Sequence, residues 1–209
     1  MLSGVVLFSG GMDSAVVLKI AQRDCDRVLA VTFDYGQRAR EQELAASAAV
    51  AEKFGVDHLV VTLDFSQWGG SALTDEIDVP TTDEQGVPVT YVPARNIVFL
   101  TVAASIAEAR GYNTIWYGAN QVDYSGYPDC REEFVTALQR ALEEGMQRNP
   151  TVHAPLLHMT KRDIVCKAVE LGVNLDDTWS CYLGGDEPCG VCPSCRLRIA
   201  AEEAECTSR

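Results

Sequence analysis

Val5-Val6-Leu7-Phe8-Ser9-Gly10-Gly11-Met12-Asp13-Ser14 decides how the rest of the chain is read. Four apolar residues in succession suit a strand buried on both faces of a parallel sheet. The period then changes at once, and Ala15, Leu18 and Ala21 fall on inward positions of a helix over 13–23. Between strand and helix stand Gly10 and Gly11, where a missing Cβ lets the backbone turn with its N–H groups pointing inward. Ser9 and Ser14 add hydroxyl donors. The first helical turn aims its unpaired N–H groups and the positive end of its dipole at the same point. Such a strand–loop–helix is a nest for phosphate. It is neither a Walker A loop, since no Gly-Lys-Ser/Thr follows, nor a dinucleotide fingerprint, since the G-x-G-x-x-G spacing is absent.

Outward from this stretch the two periods alternate. Strands are expected over 28–33, 58–63, 114–118 and 152–157, and helices over 40–54, 95–110 and 132–146. Gly55 and Gly111 close two of those helices, and Thr160 with Asp163 forms a capping box that opens another. The alternation predicts an α/β fold: a doubly wound, mainly parallel sheet covered on both faces. Periodicity fails over 64–93 and 119–129. Because the irregular segments follow strands, they are expected to meet in one crevice beyond the strand ends. The chain has 209 residues, 47% of them hydrophobic, which bounds it to one domain with a small appendage. No apolar run approaches the roughly 18 residues that span a bilayer, and the strand-like start leaves no room for a signal peptide. A soluble, cytoplasmic protein without a membrane partner is expected. A net charge of −13 repels phosphate backbones and argues against a nucleic-acid partner.

Eight cysteines occur, four of them in Cys181-x7-Cys189-x2-Cys192-x2-Cys195. Four soft thiolates suit tetrahedral zinc, the two-residue spacers let neighbours share one ion, and Gly190 permits the tight turn. Four ligands leave no open position, so the ion is structural. An iron–sulfur cluster is the other occupant such spacing admits. Cys25, Cys166 and Cys206 read as incidental, and His58, His153 and His158 as structural.

Phe8, Ser9, Gly10, Gly11, Met12, Asp13 and Ser14 resemble the S-G-G-x-D-S signature of the PP-loop ATPases. In that superfamily the loop holds the β,γ-pyrophosphate of ATP while attack falls on the α-phosphate. A glycine turn with Asp13 as an ordinary helix cap is the competing reading, and the match across the whole signature in a strand–loop–helix context weighs against it. Three further stretches follow in family order: Val31-Thr32-Phe33-Asp34-Tyr35-Gly36-Gln37-Arg38, Tyr91-Val92-Pro93-Ala94-Arg95-Asn96 and Asp123-Tyr124-Ser125-Gly126-Tyr127-Pro128-Asp129-Cys130-Arg131. With them and the cysteine cluster, the chain resembles the 7-cyano-7-deazaguanine synthase family, the nitrile-forming enzymes of queuosine biosynthesis.

The resemblance implies an adenine nucleotide alpha hydrolase-like domain over 1–177 and a zinc-binding element over 178–209 packed on it. It implies a carbon–nitrogen ligase that converts 7-carboxy-7-deazaguanine, ammonia and ATP into the 7-cyano base. Mg²⁺ on the phosphates, structural Zn²⁺ and a homodimer belong to the same expectation. A carboxylate does not accept ammonia, because its leaving group would be oxide. Adenylation supplies a leaving group, ammonia gives the amide, and a second adenylation removes the amide oxygen. AMP and pyrophosphate are the expected products.

Asp13, Ser14, Arg95 and Lys161 are the catalytic candidates. Arg95 opens a helix, where the dipole disfavours a cation, and this local cost favours a bidentate role on a carboxylate or α-phosphate over a surface arginine. Lys161 resembles the T-K-x-D/E motif of PP-loop relatives, and a phosphate contact and a solvated lysine both stay open. Arg38 and Arg131 join Arg95 as substrate contacts. Asp123 or Asp129 accepts from the N–H edge of the base, and Tyr124 and Tyr127 stack on its ring, against a tyrosine-rich turn packing on itself. Cys130 beside Arg131 has the setting of a nucleophile, against a plainly packed thiol. The rivals are transfer of the activated acid to another amine such as a protein, a PP-loop tRNA-modifying enzyme, and a zinc-stabilised nucleotide-binding module without turnover.

Overall fold

The computed structural model describes residues 1–81, 86–120, 127–204 and 206. Strands β1 (Ser3–Leu7), β2 (Arg27–Asp34), β3 (Asp57–Thr62), β4 (Thr114–Trp116) and β5 (Thr151–His153) form one sheet in the order β3-β2-β1-β4-β5, and every pairing is parallel. The central strand pairs Val5 with Leu29 on one side and with Ile115 on the other. Val5 and Val6 are both fully buried, as the unbroken apolar run requires of a strand covered twice.

The helices are α1 (Met12–Asp24), α2 (Arg40–Phe54), α3 (Arg95–Arg110), α4 (Glu132–Gly145), α5 (Lys161–Glu170) and α6 (Pro193–Glu202). On one face Val5, Leu29, Val31 and Ile115 meet Leu100, Ala103 and Ala104 of α3 and Leu138 and Leu142 of α4. On the other, Val6, Ala30 and Trp116 meet α1, Val50 and Ala51 of α2, and Ile164 and Val165 of α5. The sheet is therefore doubly wound. Among the described residues no helix is long and apolar enough to cross a membrane.

Local chemistry sets the helix ends where the sequence places them. Gly55 and Gly111 take left-handed conformations (φ 64° and 71°) after α2 and α3, and the Thr160–Asp163 capping box is formed in full. Two expectations need correction. The last strand stops at His153 rather than running over 152–157, because Pro155 has no N–H for a ladder and the chain turns, with Leu157 N–H donating to Ala154 O. Cys166 and Cys206 are not incidental: they form a disulfide across a separation of 40 residues, tying α5 to the segment after α6. The contact is tertiary, since α5 and α6 pack together, and no local spacing announces it.

Candidate active site

The strand order reverses direction between β1 and β4, so the crevice beyond β1 is the topological switch point. A cavity of about 260 Å³ lies there. Residues from four stretches that follow strands line it: Ser9 with Gly11 to Ser14, Tyr35, Leu73 with Thr90, and Ala119 with Tyr127.

The phosphate loop is held from within and from outside. Ser14 Oγ donates to Gly11 O (2.9 Å), Ser9 N–H donates to Ser14 Oγ (3.2 Å) and Gly11 N–H donates to Ser9 Oγ (3.3 Å). Gly10 sits at φ +80°, and a Cβ there would come within 2.6 Å of Ser47 N and 2.9 Å of Glu43 O. Only glycine lets the loop lie this close to α2. Phe8 and Met12 are buried beneath it as core residues. Trp179 N–H donates to Gly10 O (2.9 Å), so the segment entering the cysteine cluster braces the loop from above.

Asp13 and Lys161 stand together at the loop. Lys161 Nζ pairs with Asp13 Oδ2, which also accepts from Asn120 Nδ2 (2.9 Å). The other oxygen, Asp13 Oδ1, is buried with no hydrogen-bond partner among the described residues. An acceptor left bare beside a phosphate nest fits a hard cation such as Mg²⁺.

Across the cavity the α3 entrance presents Arg95. Ala94 before it is the one non-glycine residue with positive φ (55°) among the described residues, and its N–H donates to Tyr91 Oη (3.1 Å). α3 has no cap of its own: Asn96 N–H donates to Asp129 Oδ2 (3.0 Å), a carboxylate brought in from the short helix Pro128–Cys130. Arg95 donates to Tyr35 Oη (3.2 Å) and forms no ion pair with a described residue. Burial pushes the Tyr35 hydroxyl up to about 12, against the pull of Arg95.

Beside them lies Glu43 of α2. Its Oε2 accepts from Gln37 Nε2 (2.9 Å), and Gln37 is itself fixed, donating to Phe33 O and accepting from Tyr35 N–H. Burial pushes the Glu43 carboxyl up to about 7, although Gln37 and Arg95 both act to lower it.

The candidates thus divide. Phe8, Ser9, Gly11, Met12, Asp13, Ser14, Arg95, Tyr127, Cys130 and Lys161 share one cavity. Tyr127 Oη pairs with Thr90 Oγ1 (3.0 Å), and Cys130 Sγ accepts from Asn96 Nδ2 (3.4 Å). Arg38 and Arg131 are exposed and do not line it, and Asp129 is buried at the α3 cap. Asp123 and Tyr124 lie outside the described residues. Sequence reasoning passed over Glu43, Gln37, Asn96, Tyr117 and Trp179. Gln37 and Asn96 stood in quoted segments without a role, and Glu43, Tyr117 and Trp179 carried no motif.

Cys181, Cys189, Cys192 and Cys195 bring their sulfurs within 4.8 Å of one another. Backbone N–H groups of Cys189, Cys192 and Cys195 donate to the sulfurs of Cys181, Cys189 and Cys192 at 3.3–3.5 Å, and Gly190 turns at φ +72°. The set is competent to hold a metal ion.

Comparison with known proteins gives the same picture. The solved structures that resemble the chain include a U34-tRNA thiolase NcsA from Methanococcus maripaludis with its 4Fe–4S cluster (TM-score 0.54, 16% identity, 97% of this chain and 64% of that one). They also include a 4-thiouridine synthetase–RNA complex with bound ATP (TM-score 0.55, 21% identity, 96% of this chain and 50% of that one). At these identities they bear on the fold alone. The sequence relatives are nearer. A 7-cyano-7-deazaguanine synthase of Novosphingobium aromaticivorans is 50% identical over 209 residues, covering 95% of this chain and 89% of its own. That of Thermoplasma acidophilum is 47% identical over 203 residues, covering 93% and 85%. A family model described as queuosine biosynthesis protein QueC matches residues 3–205, and the chain belongs to that family.

Proposed function

We propose that the chain is an ATP-dependent ligase that turns 7-carboxy-7-deazaguanine and ammonia into 7-cyano-7-deazaguanine. The observation that carries this reading is the meeting, in one cavity, of an anion nest and a guanidinium that forms no ion pair among the described residues. The nest suits the outer phosphates of ATP, and Arg95 suits the substrate carboxylate or the α-phosphate, where two parallel N–H···O bonds hold a planar anion. The carboxylate attacks the α-phosphate and pyrophosphate leaves. Ammonia adds to the acyl carbon and AMP leaves, giving the amide. The amide oxygen attacks a second ATP, and loss of that AMP with the remaining N–H protons gives the nitrile. Catalysis rests on positioning and charge neutralisation.

Asp13, with its bare Oδ1, would hold Mg²⁺, which when bound neutralises phosphate charge. Zinc is the ion proposed for the cysteines. At a Zn–S distance of 2.3 Å, tetrahedral thiolates stand about 3.8 Å apart, and Cys189 Sγ lies 4.0 Å from Cys195 Sγ. A four-iron cube separates its ligands more widely. The element over 178–209 is read as part of the same body, held by the Trp179–Gly10 bond and by Arg198, which donates to the carbonyls of Leu175 and Thr178. Charge repulsion supports the absence of a nucleic-acid partner, and a cytoplasmic homodimer completes the proposal, with sedimentation as the check on oligomeric state.

Mass spectrometry of the products from ATP and the acid, with and without ammonia, tests the reaction. The nitrile with two AMP and two pyrophosphate is expected with ammonia, and pyrophosphate release without nitrile in its absence. Arrest at an activated acid that ammonia does not attack favours delivery to another amine, and ADP with phosphate contradicts the mechanism.

A further inference from the structure

The proposed chemistry sheds protons. Ammonium loses two on becoming an amide nitrogen, and the amide loses two more on becoming a nitrile, so a group in the cavity has to accept them. Among the described residues lining the cavity the carboxylates are Asp13 and Glu43, and there is no histidine. Asp13 is held through Oδ2 by Lys161 and Asn120 at the phosphate loop, and its other oxygen is the one proposed above for Mg²⁺. Lys161 is the cation of that pair. The Tyr35 and Tyr117 hydroxyls are pushed up by burial, beyond use as neutral-pH bases.

Glu43 differs from all of these. It is half-buried on the cavity wall, and its hydrogen-bond partner is a neutral amide, Gln37, oriented by the backbone on both sides of the β2 exit. The titratable groups facing it are Arg95 of α3 and the hydroxyl of Tyr35. Arg95 is also the residue read above as the anion contact, so the carboxylate lies beside the expected position of the reacting carbon.

We infer that Glu43 is the general base of the nitrogen chemistry, an inference that rests on the proposed reaction. The Glu43 carboxylate takes one proton from ammonium, and the freed lone pair forms the C–N bond to the acyl carbon. As the C–O bond to AMP breaks, the added nitrogen gives up its second proton. In the second half, the imidate formed on the second adenylation loses its two N–H protons while its C–O bond breaks, leaving the carbon–nitrogen triple bond and AMP. Glu43 relays each proton to water before accepting the next. Burial raises its basicity toward neutrality, the range in which a carboxylate base works well at neutral pH.

Glu43→Gln keeps the shape and an acceptor for Gln37 but removes the base. The expected result is a loss of about 100-fold or more in nitrile formation, with acid-dependent ATP–pyrophosphate exchange close to wild type. Hydroxylamine, unprotonated at neutral pH, arrives with its lone pair free and sheds one proton rather than two, so hydroxamate formation should fall less in the variant than nitrile formation. In the wild type, nitrile formation should bend near pH 7 where exchange does not. Both rates come from one preparation, so their ratio is independent of the folded fraction. A ratio unchanged by the substitution overturns the inference, whether both activities persist or both fall together. Wild-type protein that neither exchanges nor forms nitrile overturns the reaction itself, a distinguishable failure.

Discussion

Gly10→Ala tests the loop on which the proposed chemistry depends. Gly10 holds φ +80°, where an L-residue costs about 1–2 kcal/mol. The new Cβ would meet Ser47 N at 2.6 Å and Glu43 O at 2.9 Å, both backbone atoms of α2 that cannot rotate aside. Overpacking of this kind costs about 1–3 kcal/mol. Alanine recovers about 0.4–1 kcal/mol by restricting the unfolded chain. The net expectation is a loss of about 1–5 kcal/mol in urea denaturation, with the loop pushed off α2. A displacement of about 1 Å costs on the order of 100-fold in rate, so ATP–pyrophosphate exchange should fall by that factor or more in the folded fraction. Gly11→Ala is the control. Gly11 has an ordinary φ of −81°, and its new Cβ would meet Trp179 O at 3.2 Å and the rotatable Ser9 Oγ at 3.3 Å, so a loss below about 1 kcal/mol is expected. Gly10→Ala that denatures and exchanges like wild type would refute the claim that this loop is fixed by its approach to α2.

Stripping the metal from the cysteine cluster should weaken ATP binding about tenfold, because Trp179 is tied both to Cys181 O through Nε1 and to Gly10 O through its N–H; calorimetry finding equal affinity in metal-free, cooperatively melting protein would remove that coupling. Folded Glu43 holds its proton more tightly than the unfolded chain, since its value rises from 4.5 to about 7. Its contribution is complete below 4.5 and is lost as pH climbs through 7. Glu43→Gln should therefore match wild-type stability near pH 4.5 and exceed it at pH 8 by up to about 3 kcal/mol, and a pH-independent difference would contradict the assigned burial. Cys206→Ser should cost up to about 4 kcal/mol, the chain entropy of closing a loop across a 40-residue separation. Equal denaturation midpoints with and without reductant would show that the bridge holds nothing.

What was legible in the sequence is what local chemistry fixes. Gly55, Gly111 and the Thr160–Asp163 box end or open helices through contacts within a few residues, and the expected bounds for α2 and α3 match the observed ones. Arg95 was legible for a related reason: a cation in a first helical turn is a local conflict, and the fold resolves it by turning the side chain into the cavity. The Asp129 cap on α3, the Trp179 brace on Gly10 and the Cys166–Cys206 bridge join segments 33, 169 and 40 residues apart. No period encodes such contacts.

Glu43 shows where that boundary lies. Glu41 and Glu43 both read as acids placed to complement the amino end of α2. Two residues apart on a helix, however, they point about 200° away from each other, so one of them must turn toward the protein. The rotation of α2 decides which, and Ser47, Val50 and Ala51 are its buried residues. Glu43 precedes Ser47 by four positions and Val50 by seven, so it continues the buried stripe upward until the stripe runs out at the cavity. An acid that extends an apolar stripe breaks the rule that stripe obeys. In an alanine-rich helix the stripe is too faint to see until the sheet supplies its direction.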